Sequence, residues 1–372
     1  MIVESLEVEP LFVPLKEPFV IATARMETTR TGLVRVRLRS ERSGRAVLGL
    51  GEAAPLPPVT REDFDDVRRS IEAVAAAWVG RELRTLPDLP SDALADPLAD
   101  ALADAPVARA ALATALLDAA CRVGGVSAAH LLATRRPEIG RPVARRLETD
   151  VTLPIVGAAR MAELAREWRA LGFTQFKVKV GKDLDEDVRS LLGVHAAVRD
   201  ARFRLDANEG FTAQQALALL RAIESRGLVV ECFEQPCARD DLEGMARVTR
   251  DAKTDVIADE SVRTMADLEG VLAAEAADGV NLKLAKHGGP LAALEIGVRA
   301  MQAGMSVMCG AMVETRLGLV AMGHVAAALG GVDFVDLDTA FLLAADPFEG
   351  GWTANGPILE LTGGPGLDVR MA

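Results

Sequence analysis

Cysteine is scarce in this chain. The four thiols, Cys121, Cys232, Cys237 and Cys309, stand far apart or outside metal-type spacing, which excludes a disulfide scaffold and a cysteine-bound metal. In a chain of 372 residues they read as reduced thiols of a cytoplasmic protein. No uncharged apolar run reaches the ~18 residues that a membrane span requires. The opening Met-Ile-Val-Glu-Ser-Leu lacks the basic stretch and apolar run of a secretion signal. Excess basic charge is absent too: the net charge of −12 excludes a nucleic-acid backbone as partner. What is present is apolar sequence, 50% of the residues, enough for a large core and for one big domain with a smaller companion.

The chain opens with alternating runs at residues 2–13, Gly32–Arg39 and Ala46–Ala53, which predict an antiparallel sheet. Between the first two, Phe19–Arg30 reads as a polar loop. Arg61–Val79 and Asp104–Cys121 carry helical spacing, and the Asp/Ala/Leu/Pro tract between them, residues 88–106, reads as a helical connector kinked at Pro97 and Pro106. From about residue 147 the rhythm changes to short strands separated by helix-length amphipathic segments. The strands fall at 147–153, 175–180, 202–206, 229–234, 255–259, 279–284, 305–309 and 333–337. Eight such units predict parallel strands closing into a barrel. The predicted architecture is α/β: an α+β domain over 1–125, a barrel over 126–347, and a Gly- and Pro-rich tail, 348–372, returning to the first domain.

Within the second of these strands, Phe176-Lys-Val-Lys-Val-Gly181 alternates strictly, so Lys177 and Lys179 share a face. Adjacent ammonium groups repel, which predicts a lowered pKa for at least one of them and hence an amine able to take a proton from carbon. Alone, the segment reads rather as a half-exposed strand with two solvated lysines. Barrel enzymes place chemistry at the carboxyl ends of their strands, and the next three strands end in Asp206, Glu234 and Asp259, while the sixth carries Lys283. Any one of those acids reads as an N-cap for the helix that follows. Three in consecutive units, flanked by lysines, point to a hard divalent cation; oxygen donors without His or Cys suit Mg²⁺ and not zinc. Strands two and six lie across an eight-membered ring, so Lys179 and Lys283 are expected to face each other. One would remove the α-proton of a metal-bound carboxylate substrate and the other return it from the opposite face, a 1,1-proton transfer. Lys177 would lower its neighbour's pKa and help neutralise the substrate carboxylate. Lys286 reads as a solvated loop lysine, and His130, His195, His287 and His324 as structural or surface residues.

The Lys-x-Lys strand, the Asp-Ala-Asn, Glu-Gln-Pro and Ala-Asp-Glu-Ser strand ends, and Asn-Leu-Lys-Leu-Ala-Lys-x-Gly-Gly together resemble the enolase superfamily, and within it the muconate-lactonizing-enzyme subgroup. The resemblance spans the whole chain. It implies a modified (β/α)₇β TIM barrel with an α+β capping domain completed by the tail, Mg²⁺ on Asp206, Glu234 and Asp259, and Lys179 and Lys283 as paired acid/base catalysts. Lys283 in place of a histidine makes the mandelate-racemase subgroup a poor fit.

The eighth strand, Phe334-Val-Asp-Leu-Asp-Thr-Ala340, places Asp336 and Asp338 on one face, where two carboxylates suit a substrate ammonium. This Asp-x-Asp resembles that of dipeptide epimerases, in which it holds the free amino terminus. The expected function is therefore epimerisation at the C-terminal residue of a dipeptide. An N-acylamino acid racemase, an o-succinylbenzoate synthase or a cycloisomerase of the same subgroup is the runner-up, and a non-catalytic metal-dependent binder the remoter reading. Arg25, in the segment that serves as a lid in that family, either pairs with an acidic C-terminal side chain or is an exposed loop arginine. Glu314 either lines the pocket or starts the next helix. A small-molecule substrate and a homo-oligomeric assembly are expected.

Overall fold

The computed structural model describes residues 1–20, 25–39, 44–82 and 102–372. The predicted connector at 88–106 lies mostly outside the described residues; of it, Pro106 opens a helix. Strands Ile2–Leu11, Thr31–Arg39 and Ala46–Ala53 form the antiparallel opening sheet, with the Thr31–Arg39 strand central. Two helices cover it. The first, Phe64–Trp78, starts in a capping box in which Asp63 and Asp66 satisfy each other's backbone N–H, and it buries Val67, Ile71, Val74 and Trp78, all on one helical face. The second, Pro106–Gly124, has no cap of its own; the buried carboxylate of Glu62 accepts from Val107 and Ala108 N–H at 2.7 and 3.1 Å. It runs so close to Ala46–Ala53 that a Cβ on Gly49 or Gly51 would sit 2.0 or 2.1 Å from a carbonyl oxygen of Ala115 or Ala111. Only glycine permits that contact.

The predicted loop Phe19–Arg30 is instead part of a two-stranded hairpin, Pro14–Val20 with Arg25–Thr28, pairing Phe19 with Met26. Its register is irregular and its first strand contains two prolines, which hides the alternation that marks strands.

The eight parallel strands lie in sequence order in one curled sheet. The first and eighth are joined by the Asp150 N–H donating to Val335 O at 3.1 Å. Seven long helices alternate with the strands, from Ala158–Ala170 to Arg316–Ala328. Phe176, Val178, Phe203, Leu205, Val280 and Val307 are fully buried in the layer between strands and helices. Each buries enough apolar surface to contribute ~1.5–3 kcal/mol. The alternate residues face the barrel interior. There Cys232, Ile257, Met308 and Phe334 make a small apolar plug, and Arg204 lies over the Phe334 ring at 5.1 Å while ion-paired to Asp150 at 2.8 Å.

The first strand corrects the expected 147–153. Only Val151–Leu153 joins the barrel; Arg146–Glu148 pairs antiparallel with Ile358–Leu361 of the tail. The tail also reaches the first sheet's helix, where buried Asp118 accepts from Leu367 N–H at 2.8 Å and from Leu50 N–H at 3.0 Å. A second tie is Glu52, whose carboxylate accepts from Thr315 N–H, Thr315 Oγ1–H and Gly318 N–H at 3.0, 2.6 and 3.0 Å. The acid thus sits on the N-terminus of the helix that starts at Arg316 and fixes the opening domain over the barrel mouth. Among the described residues no helix is long and apolar enough to cross a membrane.

Candidate active site

Register places the charged residues. Lys179 pairs across to Asp206, and Asp206 to Glu234, so the ends of strands two, three and four stand side by side. Strand five ends one residue before Asp259, whose N–H donates to Gln235 Oε1 at 2.9 Å. Lys283 follows the sixth strand directly. All of these side chains are buried.

Lys177 lies at the centre. Its Nζ is 2.6 Å from Asp336 Oδ2, 2.7 Å from Glu234 Oε2 and 3.1 Å from Asp206 Oδ2. Lys179 Nζ is 2.5 Å from Asp206 Oδ2, and Lys283 Nζ 2.6 Å from Asp259 Oδ2. The expectation of a pKa lowered by the Lys177–Lys179 pair is not met at Lys177. Burial does push its pKa down, but Asp336, Glu234 and Asp206 outweigh burial and hold it well above the usual lysine range. Lys283 is likewise raised, Asp259 and Glu234 overcoming burial. On the other side of the ledger, burial raises Asp206, yet Lys179, Lys177 and Lys283 hold it below the carboxylate range, and Lys283 and Lys286 do the same to Asp259. Glu234 is raised by burial and by the charge of Asp206.

Lys286 is not a solvated loop lysine. A one-turn helix, Leu284–His287, folds it inward, and its three donors are spent on Asp259 Oδ1 at 2.6 Å, Asp259 O at 2.6 Å and Asn281 O at 2.8 Å. It clamps the Asp259 carboxylate in one rotamer and ties the ends of strands five and six. Asn281 was also missed; its Nδ2 donates to Glu234 Oε1 at 2.8 Å. A signal for it existed, since Asn281 is two residues before Lys283 and shares its inward face. Asn208, held by its N–H to Asp206 Oδ1 at 3.0 Å, completes the missed set.

Lys177, Lys179, Lys283, Asn208, Asp336 and Asp338 line one cavity of about 40 Å³. Asp338 Oδ2 accepts from Thr152 N–H, and burial together with Asp336 pushes its carboxyl up to about 7. Lys177 bridges Asp336 to two of the three strand-end acids, Asp206 and Glu234. Arg25 is outside this cavity, exposed and paired with Glu27 at 3.2 Å. Glu314 precedes the helix beginning at Arg316 and accepts from Met312 N–H at 2.9 Å; it does not line the cavity. Of the histidines, His324 and His287 are buried in the structure and none lines the cavity.

Among the described residues no group of three or more His, Cys, Asp or Glu side chains is gathered into a metal cage. Each strand-end acid instead has a lysine ammonium within 2.7 Å. Each acid thus has an ammonium beside it, and the all-oxygen donor set is of the kind that fits a hard divalent ion.

The chain is similar to known proteins over its length. Residues 5–133 match the mandelate racemase/muconate lactonizing enzyme N-terminal domain, and residues 160–372 the enolase C-terminal domain-like family. An L-Ala-D/L-amino acid epimerase of Populus trichocarpa is 36% identical over 98% of this chain and 83% of its own length. The solved, substrate-liganded L-Ala-D/L-Glu epimerase of Bacillus subtilis superposes with a TM-score of 0.91 at 32% identity, covering 100% of this chain and 99% of that one. A dipeptide epimerase of Enterococcus faecalis V583, solved with Mg and L-Leu-L-Tyr, gives 0.89 at 30% identity, with both chains fully covered. The chain belongs to the mandelate racemase/muconate lactonizing enzyme family of the enolase superfamily. It is an isomerase of the epimerase and racemase kind.

Proposed function

We propose that this isomerase is a Mg²⁺-dependent dipeptide epimerase that inverts the α-carbon of the C-terminal residue. The observation that carries the substrate class is the position of Asp336 and Asp338, which open on the same cavity as Lys179 and Lys283. A dipeptide offers a free α-ammonium to this acidic pair, in which Asp336 already has Lys177 while Asp338 accepts from the Thr152 N–H; an N-acylated amino acid brings Asp338 no cation. The names of the relatives above support the same choice.

Mg²⁺ held by Asp206, Glu234 and Asp259 would supply the positive charge that stabilises the substrate carboxylate as its α-proton leaves. The proton bookkeeping belongs to the chain. Lys179 takes the α-proton of one epimer through Nζ, and Lys283 delivers a proton to the opposite face of the carbon; for the other epimer the roles exchange. Lys177, ion-paired with Asp336, Glu234 and Asp206, serves as a fixed cation beside the bound carboxylate. Lys286 and Asn281 keep Asp259 and Glu234 in place, and the opening domain excludes water from the mouth. Four free, buried cysteines accord with a cytoplasmic setting.

Incubation with Mg²⁺ in D₂O of separate pools of dipeptides and of N-acylamino acids tests the reading by mass. One deuterium gained at the C-terminal residue is expected. Exchange confined to N-acylamino acids would replace the dipeptide by that substrate class.

A further inference from the structure

The proposed reaction leaves open which side chain the inverted residue carries, and the two halves of the cavity differ in kind. The floor is charged: three lysines, Asn208, Asp336 and Asp338. The roof is formed by Phe19 of the hairpin, Leu56 and Val59 of the segment after Ala46–Ala53, and Ala311, Met312 and Val313 after strand seven. Among the described residues, three separate stretches of chain thus contribute six apolar residues and no charge. Phe19 and Val313 belong to one apolar cluster with Val13, Leu15 and Leu343, so this surface is backed by packed hydrocarbon and not by solvent.

Arg25, the one cation of the hairpin considered for an acidic substrate, is turned away. Arg25 does not line the cavity that Phe19 lines; it stands with Met26 on a different chamber. It is paired with Glu27 and lines a separate chamber of about 690 Å³ in which Arg30, Asp63 and Asp65 also stand. Among the described residues, Leu56 and Val313 line both that chamber and the cavity. A substrate whose α-carbon lies between Lys179 and Lys283 has its ammonium and carboxylate drawn to the charged floor. Its side chain is left to the roof.

We infer that the epimerised residue carries an apolar side chain, and that acidic side chains of the Ala-Glu type are rejected. The inference rests on the dipeptide reading. A carboxylate pushed against this roof would lose its water with no partner, a far larger penalty than a mismatch in the size of an apolar group.

The test is competition at equal concentrations of L-Ala-L-Leu, L-Ala-L-Phe, L-Ala-L-Glu and L-Ala-L-Lys, with Mg²⁺ in D₂O, following deuterium at each C-terminal residue. The leucine or phenylalanine peptide is expected to exchange with kcat/KM about 100-fold or more above the glutamate peptide. Equal or faster exchange of L-Ala-L-Glu or L-Ala-L-Lys would overturn the apolar assignment and leave the dipeptide reading standing. Exchange in no dipeptide would overturn both. Leu56→Arg, at a half-buried position, should lower the leucine-to-glutamate ratio at least tenfold, and an unchanged ratio would mean that the side chain does not lie against this wall.

Discussion

Asparagine in place of His324 should remove a measurable part of this protein's acid sensitivity. His324 is 1% exposed and joins three parts of the fold. Its Nδ1 accepts from Ala129 N–H at 3.1 Å, and its Nε2–H donates to Leu367 O at 3.4 Å. Protonating Nδ1 would set two donors against each other in a buried site. Burial accordingly pushes the imidazole down to about 4, against about 6.5 when unfolded. The sign follows: below pH 6.5 the unfolded chain takes up a proton that the folded chain refuses, so stability falls as pH drops toward 4. Linkage at ~1.4 kcal/mol per pH unit makes the complete loss about 3 kcal/mol, of which about 2 kcal/mol is gone at pH 5. Asparagine offers Oδ1 to the Ala129 N–H and does not titrate. Urea denaturation at pH 8 and pH 5 should therefore show the parent losing about 2 kcal/mol more than His324→Asn. His287 and the buried carboxylates titrate in both chains and cancel in the difference. Equal losses in the two proteins would refute the argument.

Three further outcomes follow from the site. Lys179→Ala and Lys283→Ala should each lower epimerisation by about 10²–10⁴, while each retains α-proton exchange from one epimer only; single-epimer NMR in D₂O checks this, and full activity in both would end the two-base mechanism. Lys286→Met should cost about 1–3 kcal/mol in chemical denaturation without added Mg²⁺, because it removes one of the two ammonium partners of the buried Asp259 carboxylate and leaves Oδ1 without its donor; a loss under about 1 kcal/mol would show that the clamp is dispensable. Asp338→Asn should raise KM for a free dipeptide about tenfold or more and leave that of the N-acetyl dipeptide unchanged. Equal effects on both would detach Asp338 from the ammonium.

The barrel was legible because each βα unit repeats the same local contest between alternation and helical spacing, and each acid falls where an apolar run stops. The errors have long-range causes. Residues 147–153 read as one strand, but the polar Glu148-Thr149-Asp150 interrupts it, and the partner of Arg146–Glu148 is some two hundred residues away at Ile358–Leu361. Two neighbouring lysines announce repulsion in sequence; the acids that overrule it at Lys177 come from strands three, four and eight. Lys286 looked like any lysine beside glycines, since nothing local reveals a one-turn helix that points it at Asp259. The apolar roof was invisible for the same reason, being assembled from three stretches with no shared pattern.

Asp118 has a consequence for the order of events during synthesis. It belongs to the helix that covers the opening sheet, yet one of its oxygens is satisfied by a backbone group near the far end of the chain, Leu367. A nascent chain emerging amino end first has every other part of this helix available early, but must wait for the last stretch to leave the ribosome before that buried carboxylate is neutralised by its full set of donors. Domains that emerge first commonly fold first; here the first to emerge is among the last to be finished, and the barrel has to form beside an incomplete neighbour.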